Sequence, residues 1–147
     1  MAHYNLLFNQ IATHVKSAWN ATTITPGRSN KPLPQLPRAV IALESCSREF
    51  AGRSVEQTWT WTIAGQFPMP AINGLDPQEL MSQKAEALID LLTPFSENSG
   101  SLPVSPSPFG TVGYSPQVTE WTPVPLDDED NAVAITMSFT VRTTVWQ

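Results

Sequence analysis

The chain has 147 residues, a net charge of −5 at neutral pH and one cysteine, Cys46. This length suits a single domain whose core needs no staple, and one cysteine excludes an intrachain disulfide. The negative charge argues against broad binding to nucleic-acid phosphates, and no apolar run approaches the roughly 20 residues that span a bilayer.

The first predicted element is a helix. Apolar residues recur at three- and four-residue steps from Tyr4 to Trp19 and form one stripe. No basic region followed by an apolar run precedes it, so we expect no secretory signal. The segment 20–37 then carries four prolines. Prolines at this density disfavour both helices and central strands, so an extended loop is predicted.

Two strands are expected next. Residues 39–43 are apolar on both faces and predict a short strand, and the polar residues 45–52 predict its end and a turn. From Val55 to Phe67, apolar residues fall on odd positions and threonine or glutamine on most even ones. This alternation predicts a long strand with one buried face.

The second helix has several start signals. Asp76 suits the N-cap, Pro77 suits the first helical position, and Glu79 can reach back to the cap amide. Pro94 ends the helix. Residues 96–116 are rich in proline, serine and glycine, which predicts a second long loop.

The chain closes with two further strands. Val118, Trp121 and Val124 mark a strand interrupted by Pro123, which predicts an edge or bulged position. After an acidic turn, apolar residues on odd positions from Val133 to Val145 predict a long half-buried strand. The sequence therefore predicts one α+β domain over residues 1–147, with two helices on one face of an antiparallel sheet of about four strands.

No arrangement typical of catalysis is present. His3 and His14 do not form a metal-binding pattern, and no base is placed in the sequence to activate Cys46. The acidic turn lacks the spaced ligands and glycine of a calcium loop. We therefore expect no enzymatic activity, no cofactor and no metal. Trp59 and Trp61 are the residue type that stacks on nucleobases, but their position on an apolar strand face favours the core.

Two clusters of opposite charge lie on the loops. Such clusters suit head-to-tail packing of copies into a closed ring. Only 14% of residues are charged, which is below the typical quarter and is consistent with a surface covered by other subunits. The inferred interface residues are Arg28, Lys31, Arg38, Asp127, Asp128, Glu129 and Asp130.

In layout, the chain resembles the tail terminator, or tail-completion, proteins of long-tailed bacteriophages. The resemblance rests on the helix Tyr4–Trp19, the proline-rich loop, the strand Arg38–Leu43 and the strand Val55–Phe67, followed by the Asp76-capped helix and the closing strand VAITMSFTVRTTVWQ. It covers nearly the whole chain but rests on no short signature motif.

The resemblance implies a structural protein of the virion tail, assembled in the cytoplasm of the bacterial host. It implies a hexameric ring that caps the tail tube, stops its polymerisation and offers a surface to the head-completion or connector protein. The expected partners are further copies of the chain, the major tail tube protein and that connector protein. DNA would pass through the ring without specific binding, and no membrane is involved.

Two alternatives remain open at this point. The chain could be a head–tail connector, neck or other minor tail protein, since these share a small α+β design. It could also be a small ligand-binding module in which the aromatic strand segment 59–61 lines a groove.

Overall fold

The computed structural model describes residues 3–24, 37–68, 77–92, 114–124 and 132–146. In these ranges two helices and one five-stranded sheet make an α+β fold. The elements in chain order are α1 (His3–Trp19), β1 (Thr22–Ile24), β2 (Arg38–Ala51), β3 (Ser54–Pro68), α2 (Pro77–Leu92), β4 (Tyr114–Val124) and β5 (Ala132–Trp146).

The sheet is mixed, and its strand order is β1-β2-β3-β5-β4. β1 runs parallel to the start of β2, and the other neighbours are antiparallel. The expectation of about four strands, all antiparallel, was therefore wrong in both respects. The extra strand lies in the segment 20–37 that was predicted to be a loop. Its residues, Thr22 to Ile24, are β-branched and precede the first proline, so they can adopt extended backbone.

β2 is longer than predicted. The polar residues 45–51, expected to be a strand end and a turn, continue the strand and pair with the first half of β3. A register shift between Leu43 and Ser45 marks a bulge at Glu44. The turn lies at Gly52 and Arg53, where Gly52 adopts a φ of 64°, a conformation that glycine adopts without strain.

Both helices pack against one face of the sheet, as predicted. Each contributes one apolar stripe to a single core, and the odd-numbered residues of β3 and β5 contribute the other side. The buried side chains from the helices are Leu7, Ile11, Val15, Trp19, Met81, Ala85, Leu88 and Leu92. Those from the two central strands include Trp61, Ile63, Phe67, Ile135, Met137, Phe139 and Val141.

Trp19 joins the two helices to the sheet. Its indole Nε1 donates a hydrogen bond to the Lys84 carbonyl oxygen at 2.8 Å. Its ring meets Phe67 edge-on, with 5.2 Å between ring centroids. This packing requires glycine at position 65, because a Cβ there would lie 2.6 Å from Trp19 Cζ3.

Both ends of α1, the start of α2 and the position of the edge strand agree with prediction. α1 ends at Trp19 and α2 begins at Pro77, while the predicted N-cap Asp76 and the predicted terminator Pro94 lie outside the described residues. β4 is the last strand of the sheet and shows two register shifts against β5. Residues 114–116, predicted to end a loop, belong to β4, and residues 96–113 lie outside the described ranges.

Candidate interaction surface

The face of the sheet opposite the helices is lined by small hydroxyl side chains. The even-numbered residues of β3 and β5 pair across it, as Thr60 does with Thr140 and Thr62 with Ser138. These side chains are half-buried, and no helix in the described ranges packs on this face. Threonine and serine side chains are polar but uncharged, so they bind water less strongly than charged side chains do. This face therefore suits contact with another protein better than contact with nucleic acid.

The two edges of the sheet differ in how they are protected. β4 contains Pro116 and Pro123 and has two register shifts, features that block the addition of another strand. At the other edge, β1 covers only Arg38, Ala39 and Val40 of β2. Within the described ranges, the outer edge of residues 41–51 pairs with no strand, and it contains neither proline nor glycine.

The outer half of β2 is exposed on both of its faces. Every side chain from Glu44 to Phe50 is exposed, whereas the neighbouring residues Val55 and Gln57 of β3 are buried. Cys46, Arg48 and Phe50 lie on the helical side of the sheet, because they pair with odd-numbered residues of β3. Ser47 and Glu49 lie on the hydroxyl-lined side. We call residues 44–51 the outer strand segment.

A network of polar side chains on β3 and β5 contacts this segment. Trp59 Nε1 donates to Thr143 Oγ1 at 2.9 Å, and Thr143 is completely buried. One orientation of the Gln57 amide lets its nitrogen donate to the same hydroxyl at 3.1 Å. In that orientation its oxygen accepts from Arg48 Nε at 3.2 Å and from Nη2 at 3.3 Å. The network therefore reaches from the exposed Arg48 to the interior of the sheet.

An apolar patch lies at the end of the sheet next to the turn. Phe50 is 73% exposed, and Val145 on β5 is 37% exposed. Between them lies Val55, which is 4% exposed and pairs with both. A phenyl ring exposed to this extent gains little from folding. It is the residue in the described ranges with most to gain from burial against a partner.

Two glutamates lie opposite each other on the hydroxyl-lined side of the outer strand segment. Glu49 lies directly opposite Glu56, and Glu56 forms an ion pair with Arg142 on the far side. Both members of the ion pair are about one-third exposed, at 33% and 36%. Opposed like charges destabilise a pair of strands, so a cation supplied to Glu49 from outside the chain would be stabilising.

Of the interface residues inferred from the sequence, only Arg38 is described. It is half-buried at the start of β2, and its Nε donates to the Gln66 side-chain oxygen. It therefore has a partner within the chain. Arg28, Lys31, Asp127, Asp128, Glu129 and Asp130 lie outside the described residues, so the proposed pairing between these loops stays a prediction.

Trp59, Trp61 and Cys46 were the candidates for base stacking or nucleophilic chemistry, and their surroundings favour neither. Trp61 is completely buried in the core, as predicted, and Trp59 packs against the core while donating its hydrogen bond. Partial burial raises the pKa of the Cys46 thiol above its ordinary value, an effect that the nearby Arg48 guanidinium opposes. The thiol is therefore protonated at neutral pH, which is the opposite of an activated nucleophile.

The described ranges contain few features of a metal or ligand site. These ranges contain no group of three or more histidine, cysteine or acidic residues that could hold a metal ion. A pocket of about 270 Å³ lies at the end of α1, lined by Lys16 and residues 20–23. It lies away from Trp59 and Trp61, so the aromatic strand segment 59–61 does not line it. None of the described helices is long and apolar enough to cross a membrane.

The sequence did not predict that the outer strand segment is an exposed strand. Its residues, ESCSREFA, follow neither the alternating pattern of a half-buried strand nor that of an amphipathic helix. That lack of pattern was the available signal, because a strand exposed on both faces has no apolar side. Comparison with known proteins adds no assignment, since no family model and no curated protein matches the chain.

Proposed function

We propose that this chain is a structural subunit of a bacteriophage tail. It forms a ring that caps the tail tube, stops tube growth and offers a surface to the protein that joins the head. It acts in the virion tail after assembly in the host cytoplasm, and it works by fitting against other proteins rather than by catalysis. The likeness to tail terminators motivates this proposal, and the surface of the described residues supports it.

The observation that carries the proposal is the outer strand segment. Residues 44–50 are exposed on both faces, and the outer edge of residues 41–51 is unpaired in the described ranges. A long edge strand without proline is a template for unwanted pairing unless a partner covers it. The opposite edge contains Pro116 and Pro123, whereas β2 contains no proline. This asymmetry favours a protein with one edge kept for assembly.

The hydroxyl-lined face supports the same interpretation. Its central rows consist mainly of Thr58, Thr60 and Thr62 beside Thr136, Ser138 and Thr140. The threonine and serine side chains of these rows carry no charge to desolvate when another subunit covers them, while Arg142 and Glu120 adjoin them on the same face. A face of this kind can be buried in a multi-subunit assembly at lower cost than a strongly charged one.

A cap must bind the tube on one side and refuse a further tube ring on the other. Specificity of that kind needs two different surfaces on one subunit, together with features that exclude the wrong partner. The apolar patch at Phe50 and the hydroxyl-lined face are two such surfaces. They differ in chemistry, and they lie at one end and on one face of the same sheet.

Ring closure is assigned to the oppositely charged loops, and it can be tested by charge exchange. Changing Asp127 and Asp128 to lysine should weaken ring closure. Changing Arg28 and Lys31 to glutamate in the same molecule should partly restore it, because the attractive pairs are rebuilt with their signs exchanged. Native mass measurement and electron microscopy would report the rings. Unimpaired rings in the Asp127→Lys, Asp128→Lys variant would show that this contact does not exist.

The pocket at the end of α1 does not favour the ligand-binding alternative. Its volume of about 270 Å³ lies below the usual range of small-molecule sites, and the aromatic residues that motivated the alternative do not line it. A connector or neck protein would use the same surfaces with a different partner. Mixing the chain separately with purified tube protein and with purified connector protein distinguishes those two roles.

A further inference from the structure

The exposed face of α2 carries negative charge that no described residue balances. Glu79, Glu86 and Asp90 are all exposed. At about 100° per residue they lie within roughly 40° of one another around the helix, so they form one stripe. Lys84 is off this stripe, because its Nζ lies 5.2 Å from the centre of the Phe67 ring. None of the three carboxylates forms an ion pair with another described residue. We call Glu79, Glu86 and Asp90 the acidic stripe.

The acidic stripe destabilises α2 in the isolated chain. Glu86 and Asp90 are one helical turn apart, and like charges at that spacing destabilise a helix. Asp90 also lies near the C-terminus of a helix that has no basic residue in its last turn. The helix dipole disfavours negative charge at that end. A cation supplied from outside the chain would therefore relieve both effects.

Two arginines near the turn between β2 and β3 can supply that cation. Arg48 and Arg53 are both exposed, and neither forms an ion pair with a described residue. In the Gln57 orientation described above, Arg48 gives two of its five donors to that side chain and keeps three for another partner. The other described arginines, Arg38 and Arg142, have side-chain partners within the chain. We call Arg48 and Arg53 the hairpin arginines.

The hairpin arginines and the acidic stripe of one chain lie too far apart to meet. The turn is next to Val55, whereas Phe67, which contacts Lys84 of α2, lies at the other end of β3. At about 3.3 Å per residue, the strand from position 55 to position 67 is roughly 40 Å long. Every acid of the stripe lies within about 9 Å of Lys84 along the helix axis. Side chains cannot span the remaining distance, so the match requires a second copy.

We propose that the hairpin arginines of one copy bind the acidic stripe of a neighbouring copy. The two surfaces differ, so the contact is head-to-tail and can repeat around a ring. The inference rests on the proposed function and adds a second contact to the one assigned to the charged loops. The stripe spans about 16 Å, which leaves room for both guanidinium groups. Each guanidinium can bind a carboxylate through two parallel hydrogen bonds.

The test reverses the charge of each surface in turn. The hairpin variant carries Arg48→Glu and Arg53→Glu, and the stripe variant carries Glu79→Lys and Glu86→Lys. Each variant alone sets like charges against each other at every contact. Each should therefore form rings only at a concentration roughly tenfold or more above that of the original chain. Native mass measurement and electron microscopy, with tail tubes present, report the rings.

Mixing the two variants in equal amounts should restore the rings. Each copy then meets neighbours of the other kind, and every contact again pairs opposite charges. A six-membered ring allows strict alternation, so the restored ring should contain equal numbers of the two variants. Mixing could not rescue a defect that the substitutions cause inside one chain. Rings that are lost in the variants and not restored by mixing would therefore overturn the inference.

Two further variants sharpen the test. Lys16→Glu is the matched control, because Lys16 is also exposed but lies on α1. It should leave ring formation unchanged, and an equal loss of rings in this control would overturn the inference. Arg53→Glu alone keeps the contact between Arg48 and Gln57 and should still weaken ring formation about threefold.

The inference and the proposed function fail in different ways. If the hairpin and stripe variants both form rings at the original concentration, the inference is overturned and the proposed function stands. If the original chain forms no ring on tail tubes, both are overturned together.

Discussion

Replacing Phe50 by threonine should separate folding from assembly. The phenyl ring is 73% exposed, and its cross-strand contact is with Val55. Threonine favours strands almost as well as phenylalanine, so the local backbone should be kept. Loss of the cross-strand contact should cost at most about 1 kcal/mol of folding free energy. The variant should therefore fold, with a melting temperature close to that of the original chain.

Phe50→Thr should weaken the binding of the chain to the tail tube by more than it weakens folding. A phenylalanine side chain buries about 200 Å² when fully covered. With 73% of Phe50 exposed, roughly 150 Å² remains to be covered by a partner. At about 25 cal/mol per Å², complete coverage would contribute up to about 4 kcal/mol. Coverage of half that area would contribute about 2 kcal/mol, so the variant should need a roughly 30-fold higher concentration to cap tubes.

The assay titrates the variant into polymerising tail tube protein and scores capped ends by electron microscopy. Leu6→Gln is the matched control, because Leu6 is also an exposed apolar residue, at 43%, but lies on α1. We expect the control to cap tubes like the original chain. If Phe50→Thr folds normally and caps tubes at the original concentration, the apolar patch has no part in assembly and the reasoning is refuted.

Three further predictions concern the fold and the thiol. Gly65→Ala should lower the free energy of unfolding by about 1–3 kcal/mol, because the added Cβ would lie 2.6 Å from Trp19 Cζ3. Urea denaturation measures this loss, and an unchanged denaturation midpoint would contradict it. Thr143→Val should lower the free energy of unfolding by about 1–3 kcal/mol, because it leaves the buried Gln57 amide and the half-buried Trp59 indole without their hydrogen-bond partner. Restored stability in a Trp59→Phe background would support the hydrogen bond as the cause. Because the pKa of Cys46 is raised, its alkylation by iodoacetamide at pH 8 should be slower than in urea-unfolded chain, and Arg48→Gln should slow it further; equal rates in folded and unfolded chain would disprove the shift.

The parts of the fold with a regular apolar period could be predicted from sequence. The stripe of α1, the long strand around Trp61 and the closing strand from Val133 were all correctly placed, since burial on one face imposes a period. β1 was missed because three residues carry no period. It is specified instead by pairing with Arg38–Val40, a contact that the local sequence does not reveal.

The outer strand segment shows why the surface was harder to predict than the core. Residues 45–51 were expected to end a strand, because they lack an apolar side. They form strand because the first half of β3 offers them a backbone ladder on one side. Hydrogen bonding to a neighbour, rather than burial, fixes their conformation. The charged loops around Arg28 and Asp127 were inferred from charge alone, and their pairing stays a prediction.

The most direct measurement is the length distribution of tail tubes polymerised with and without this chain. If the chain caps tubes, adding it at the start should shorten them in proportion to its concentration, and six-fold density should appear at one end of each tube. Tubes of unchanged length and bare ends, at concentrations where the chain is folded and in excess over tube ends, would contradict the account.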